Sequence, residues 1–145
     1  RVRDAVRRWP HVRYIGFVRS PEEMAAWYAS CEMGLALSGW ETFGLSIVEA
    51  LACGQILVAA DQGAARGHVE HSGAGLVVPV ADPAALVDAI EALWRERREN
   101  PEAWAARSRR AVEYAQGLTW ERCFEREVEA YTSLLAIHVQ TMNDG

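Results

Sequence analysis

The hydrophobic pattern of this chain alternates between short continuous apolar runs and longer stretches in which apolar residues recur every three or four positions. "MGLAL" (33–37), "ILVAA" (56–60) and "GLVVPV" (75–80) are runs of the first kind. Unbroken apolar character over a few residues is what a strand buried on both faces needs. "HVRYIGFV" (11–18) adds a fourth, β-rich run, with Val12, Tyr14 and Ile15 suited to a strand and Gly16 closing it. Pro79 marks the end of its run or an edge position.

Helices are predicted between these runs. Residues 1–9 read as the end of one, stopped by Pro10. Ser20-Pro21-Glu22-Glu23 is a helix start, with Ser as N-cap, Pro in the first turn and a Glu three residues after the Ser. That helix runs to about residue 30, with Met24, Trp27 and Tyr28 on one face. A second is expected from Phe43 to Cys53, ending at Gly54. Asp82-Pro83 opens an amphipathic helix with Leu86, Ile90, Leu93 and Trp94 facing inward, and Asn100-Pro101 opens another. Thr119 caps a last long helix reaching about Val139. Gly63, Gly67, Gly73 and Gly75 predict a Gly- and Ala-rich loop. Helices alternating with apolar strands imply an α/β fold: a Rossmann-like parallel sheet flanked by helices on both faces, with ligands at the carboxyl ends of the strands.

Composition narrows the function. The 145 residues, half of them hydrophobic, suffice for one domain. Fifteen basic against twenty acidic residues leave a net charge of −5, which argues against a nucleic-acid partner or an anionic membrane surface. Arginines do cluster at Arg1, Arg3, Arg7 and Arg8 and again from Arg95 to Arg110, but acids interrupt the second group, as on a solvated helix face. Cys31, Cys53 and Cys123 show neither a disulfide framework nor a zinc spacing, so a reducing, cytoplasmic compartment is expected. No apolar run approaches the roughly 20 residues of a membrane span, and no signal peptide is visible. The chain opens on Arg1, already inside a helix pattern, and is expected to be a piece of a longer protein.

The candidate chemistry lies in "SGWETFGLSIVEALACG" (38–54), where Glu41 and Glu49 interrupt an otherwise apolar stretch. Glu41 falls after the 33–37 strand, at the edge where ligands bind. Glu49 falls about two turns down the following helix, on a strip with Ser46 and Cys53. An ionised Glu there needs solvent or a hydrogen-bonding partner. At the helix start Phe43, Gly44 and Leu45 offer free amides at the positive end of the helix dipole, a place suited to phosphate. A diphosphate-linked ligand with hydroxyl-rich groups at both ends would fit between the acids. Spacing alone is equally compatible with a modestly exposed stripe and an ordinary loop acid.

This segment resembles the signature of the retaining, nucleotide-sugar-dependent glycosyltransferases of family four, which have the GT-B fold. Their pattern is S-x-x-E-x-F-G-L, a second Glu after seven intervening residues, then A-x-A-x-G. Ser38, Glu41, Phe43, Gly44, Leu45, Glu49, Ala50, Ala52 and Gly54 fall on it. "VRYIGFVRSPEEMAAWYASCEMGLAL", "GAGLVVPVADPAALVDAI" and "LTWERCFEREVEAYTSLL" are similar to further stretches of the family, so the resemblance runs nearly the whole chain.

The resemblance implies the C-terminal donor-binding half of a GT-B enzyme, lacking its first strands and the N-terminal acceptor domain, with residues 120–139 as its closing helix. It implies transfer of a hexosyl group from a nucleotide-diphosphate sugar with retention of configuration. Glu41, the catalytic candidate, would face hydroxyls of the transferred sugar, and Glu49 the ribose hydroxyls. The amides of Phe43, Gly44 and Leu45 would meet sugar and diphosphate, and Phe17-Val18 would sit against the nucleobase. No cofactor and no metal are implied. The acceptor is left open as a glycan, lipid or small molecule, with membrane contact only through regions outside this chain.

The chain also departs from the family. Gln55-Ile56-Leu57-Val58 replaces L-P-V-V, and Gly63-Ala64-Ala65-Arg66-Gly67 replaces the G-G-x-x-E loop. The family's Arg/Lys strand and two strands between 12–16 and 33–37 are missing, so the isolated piece is expected to repack or fold poorly. A truncated or degenerate binding module is therefore the alternative, and a GT-B phosphorylase or sugar-nucleotide epimerase a further one. His68 and His71 are spaced as a metal pair on a helix, but no third ligand is evident. Trp9, Trp27, Trp94, Trp104 and Trp120 fall on helical faces as packing residues, while Trp40 adjoins the site. The absence of G-x-G-x-x-G gives a dinucleotide-dependent oxidoreductase little support.

Overall fold

The computed structural model describes residues 2–143. In chain order the elements are α1 (Val2–Arg8), α2 (Pro21–Ser30), β1 (Met33–Ala36), α3 (Leu45–Ala52), β2 (Ile56–Ala60), α4 (Gly63–Ser72), β3 (Gly75–Val78), α5 (Pro83–Glu99), α6 (Pro101–Gln116) and α7 (Trp120–Asn143). The strands form one parallel sheet in the order β1-β2-β3, with Met33 opposite Ile56 and Leu57 opposite Gly75.

Two right-handed crossovers that step the same way along a sheet put their helices on the same face. Helices α3 and α4 accordingly share one side, where α6 joins them. Leu57 and Ala59 point there and pack with Ile47, Leu51, Ala65, Val69 and Ala111. The alternate residues Ile56 and Val58 point to the opposite face and pack with Val78, Ala89 and Leu93. All five residues of β2 are buried, as expected of a strand with a neighbour on each edge and helices on each face. The sheet is thus covered on both sides at β2, but edge strand β1 is not buried as its apolar run predicts: Leu35 is 55% exposed, because among the described residues no helix covers it on the face it shares with Val58.

Helix starts follow the local chemistry. Ser20 Oγ accepts from the Glu23 amide at 3.3 Å, Asp82 Oδ1 from Ala85 at 3.0 Å and Asn100 Oδ1 from Ala103 at 3.0 Å. Each of these caps precedes a Pro in the first turn.

Three expectations are corrected. The 12–16 segment forms no strand; its one backbone bond is a turn, from the Val12 amide to the Trp9 carbonyl at 2.9 Å. A strand exists only against a neighbour, and among the described residues none lies beside this one. The Gly-rich segment after β2 is mostly helix, α4, because Ala65, His68, Val69 and Ser72 recur at helical spacing and bury against the sheet. Trp94 does not face inward: it is 43% exposed, with the Arg97 guanidinium over its ring at 5.2 Å. Trp9 and Trp120 are likewise exposed, whereas Trp104 packs on the second core. Among the described residues no helix is long and apolar enough to cross a membrane.

Candidate functional site

The sheet delivers β1 to its carboxyl edge at Ala36, and residues 37–44 turn across that edge into α3. The helix starts two residues later than the pattern predicts. Gly44 is its N-cap, in the left-handed region at φ +84°, which favours glycine over any residue with a side chain. A Cβ there would also press on Ile47 Cδ1 at 2.9 Å. The Gly44 carbonyl takes up the Ile47 and Val48 amides at 2.9 and 3.0 Å. The amides of Gly44, Leu45 and Ser46 have no hydrogen-bond partner among the described residues. Ser46, whose amide was not among those singled out from sequence, therefore joins Gly44 and Leu45 at the positive end of the helix. Phe43 lies just outside the helix.

The loop is tied down from below by α4. The Ala64 amide donates to the Glu41 carbonyl at 3.0 Å. Gly63 makes that approach possible: a Cβ at Gly63 would collide with the same carbonyl oxygen, and its φ of +52° is left-handed. His68, 7% exposed, holds a second carbonyl of the loop, with Nε2 at 2.5 Å from Phe43 O. Its Nδ1 lies 2.8 Å from the Tyr114 hydroxyl on α6. Both ring nitrogens are thus engaged within the protein. His71 instead points outward, its Nδ1 at 2.6 Å from the Gly67 carbonyl. The two histidines share a helix but not a site.

The two acids line different hollows on neighbouring faces of α3. Half-buried Glu41 lines a cavity of about 170 Å³ together with Ser38, Ser46, Ile47 and Gln55. Exposed Glu49 lines a groove of about 240 Å³ between α2 and α3, with Pro21, Met24 and Cys53. Tyr28 borders both. Burial, and then the nearby Glu49 and Cys53, push the Tyr28 hydroxyl above its ordinary pKa, so it stays a neutral donor and acceptor. Gln55, 4% exposed, fixes the end of α2 by donating from Nε2 to the Tyr28 carbonyl at 2.7 Å. Glu49 thus meets the condition set by its position in an apolar helix, because it reaches solvent. Val18 lies two residues before the Ser20 cap and does not line the Glu49 groove; neighbouring Phe17 is 84% exposed.

Sequence reasoning singled out the acids and the helix start but not Tyr28, Gln55, Tyr114 or the role of His68. In the sequence His68 shows only its helical spacing with His71; its bonds to Phe43 and Tyr114 leave no local signal.

The fold is the Rossmann-like half of GT-B glycosyltransferases. It superposes on sucrose-phosphate synthase from Thermosynechococcus elongatus with a TM-score of 0.74 and 28% identity, over 94% of this chain and 34% of that one. On the Anabaena protein HepE, solved in complex with UDP, the TM-score is 0.72 at 27% identity, over 91% of this chain and 36% of that one. The chain belongs to the family Glycosyl transferases group 1, whose pattern matches residues 1–96. A D-inositol 3-phosphate glycosyltransferase of Catenulispora acidiphila is 34% identical over 113 residues, 78% of this chain and 26% of the relative. A phosphatidyl-myo-inositol mannosyltransferase of Mycobacterium leprae is 38% identical over 85 residues, 59% of this chain and 23% of the relative. The chain therefore spans about a quarter of the length of the curated relatives it matches.

Proposed function

We propose that this chain is the donor-binding part of a retaining glycosyltransferase that takes its hexosyl group from a nucleotide-diphosphate sugar. The observation that carries the proposal is the arrangement around α3: the unpartnered amides of Gly44, Leu45 and Ser46 at its start, with Glu41 and Glu49 in separate hollows that adjoin at Tyr28. A sugar nucleotide matches that arrangement, since it carries a dianionic centre between two polyols. The diphosphate meets the amides of Phe43, Gly44 and Leu45, joined by that of Ser46; the ribose hydroxyls donate to Glu49, and the sugar hydroxyls donate to Glu41. Val18, although it does not line the Glu49 groove, is the residue we assign to the nucleobase. The UDP bound in the HepE structure makes a uridine nucleotide the first donor to try.

In the reaction, the bond from the anomeric carbon to the leaving phosphate oxygen breaks. A bond to the acceptor oxygen forms on the same face of the sugar, and the acceptor proton passes to that phosphate oxygen. Charge grows on the diphosphate as the first bond stretches. Helix amides already aimed at it stabilise that charge without reorganising. The residues of this chain position the donor and hold its charge; the acceptor is received elsewhere in the full-length protein.

Calorimetric titration of the full-length protein with UDP, GDP, ADP and their common sugars, beside Glu49→Ala, tests this. We expect one nucleotide to bind selectively and Glu49→Ala to weaken it at least tenfold, on the order of one charged hydrogen bond lost. Glu49 is exposed, so the melting temperature stays within a degree or two of the parent's, on the order of a neutral surface change. A well-folded protein that binds none of these nucleotides would be a non-catalytic module instead, consistent with Gly67 where the family has an acid.

A further inference from the structure

The 41–44 loop is held by a side-chain relay that crosses three elements. Tyr114 on α6, His68 on α4 and the Phe43 carbonyl lie in line at 2.8 and 2.5 Å. The rings also pack edge to face, with centroids at 5.6 Å for Phe43 and His68 and 5.8 Å for His68 and Tyr114. A carbonyl only accepts, so Nε2 of the imidazole carries the hydrogen. Nδ1 is then left to accept from the Tyr114 hydroxyl. Burial raises the Tyr114 pKa, which keeps that hydroxyl protonated as a donor. The tautomer is set by its partners and the ring cannot flip without breaking both bonds.

The consequence follows from peptide planarity. In a trans peptide the C=O and N–H point in opposite directions. No cis bond occurs among the described residues, so fixing the Phe43 carbonyl on His68 fixes the Gly44 N–H to point away from His68. That amide is one of the three without a partner at the start of α3. Left-handed Gly44 has little of its own to hold the orientation, because glycine explores more backbone conformations than any other residue. The restraint comes from His68.

We infer that His68 is a positioning residue for the donor diphosphate, holding the Phe43–Gly44 peptide so that its amide faces the phosphate, with Tyr114 fixing the imidazole in turn. This rests on the donor-binding reading above. It requires neither residue to touch the ligand.

The test titrates the full-length protein with the nucleoside diphosphate that binds the unsubstituted protein. We expect His68→Leu, similar in bulk, to weaken binding about tenfold through loss of the fixed amide. Tyr114→Phe removes one oxygen and is expected to weaken binding about threefold. His68→Gln, whose Nε2 can still donate to the Phe43 carbonyl, is expected to recover most of the loss. Recovery by Gln separates positioning from packing, since Leu fills the space equally well. Unchanged affinity in His68→Leu, or equal losses in the Leu and Gln variants, overturns the inference while the donor site stands. Should His68→Leu not fold, unchanged affinity in Tyr114→Phe overturns it in the same way. Failure of the unsubstituted protein to bind any nucleoside diphosphate overturns the donor reading and this inference together.

Discussion

Residues 56–60 and residues 12–17 are both rich in apolar side chains, and their fates differ completely. Every residue of Ile56–Ala60 is buried, with Ile56, Val58 and Ala59 at 0% exposure. In the other segment Tyr14 is 59% and Phe17 84% exposed, and no ladder forms. Composition accounts for part of it, since Arg13 and Gly16 interrupt the second run, but neighbours account for the rest. The first has a parallel strand on each edge and a helix layer on each face; the second has neither among the described residues. A strand is a property of a pair, and burial is a property of layers, so one chain can hold the same pattern in both states.

The sharpest way to break that contrast is to truncate a core residue of β2. Leu57→Ala removes a side chain that is 1% exposed, and we expect it to cost about 2–5 kcal/mol, read as a lower denaturant midpoint. Next comes Gly63→Ala. Its Cβ would collide with the Glu41 carbonyl while φ is left-handed, so a loss of about 1–3 kcal/mol is expected, together with weaker nucleotide binding as the 41–44 loop shifts.

A smaller, pH-dependent effect is expected at Glu96. Arg107 donates to it from Nε at 2.6 Å and Nη2 at 3.0 Å, and this hydrogen bonding holds the carboxyl below its ordinary pKa. A depressed folded-state pKa stabilises the protein above the unfolded value of about 4.3, and that contribution is lost as pH falls through the folded value. Glu96→Gln should therefore flatten the acid limb of a stability–pH curve and leave its slope near neutrality unchanged. Smallest of all is Ile15→Ala, expected within about 0.5 kcal/mol of the parent at a 47% exposed position. A loss there comparable to Leu57→Ala would mean that the 12–17 segment packs in solution and that the contrast fails.

The elements legible in the sequence are those whose signals are local. Ser20, Asp82 and Asn100 cap helices by bonding an amide three residues ahead, and Thr119 does so with Arg122 at 3.4 Å. Such a signal needs nothing from elsewhere in the chain. The same holds for the two acids and the helix start between them, because their spacing along one strand–helix unit fixes their relative places. Helix α4 was not legible, since four glycines within and beside it argue for a loop. Only the sheet beneath it turns Ala65, Val69 and Ser72 into a buried face.

What the sequence determined by itself is therefore the α/β order, the caps, and the acids placed around the start of α3. The tertiary structure decided which apolar runs became strands, which glycines lie in helices, and how the site loop is held. His68 shows why. Its two partners are 25 and 46 residues away in the chain, and no local pattern encodes a bond to either. Such contacts depend on where α4 and α6 settle against β2, and that is fixed by burial summed over the whole core.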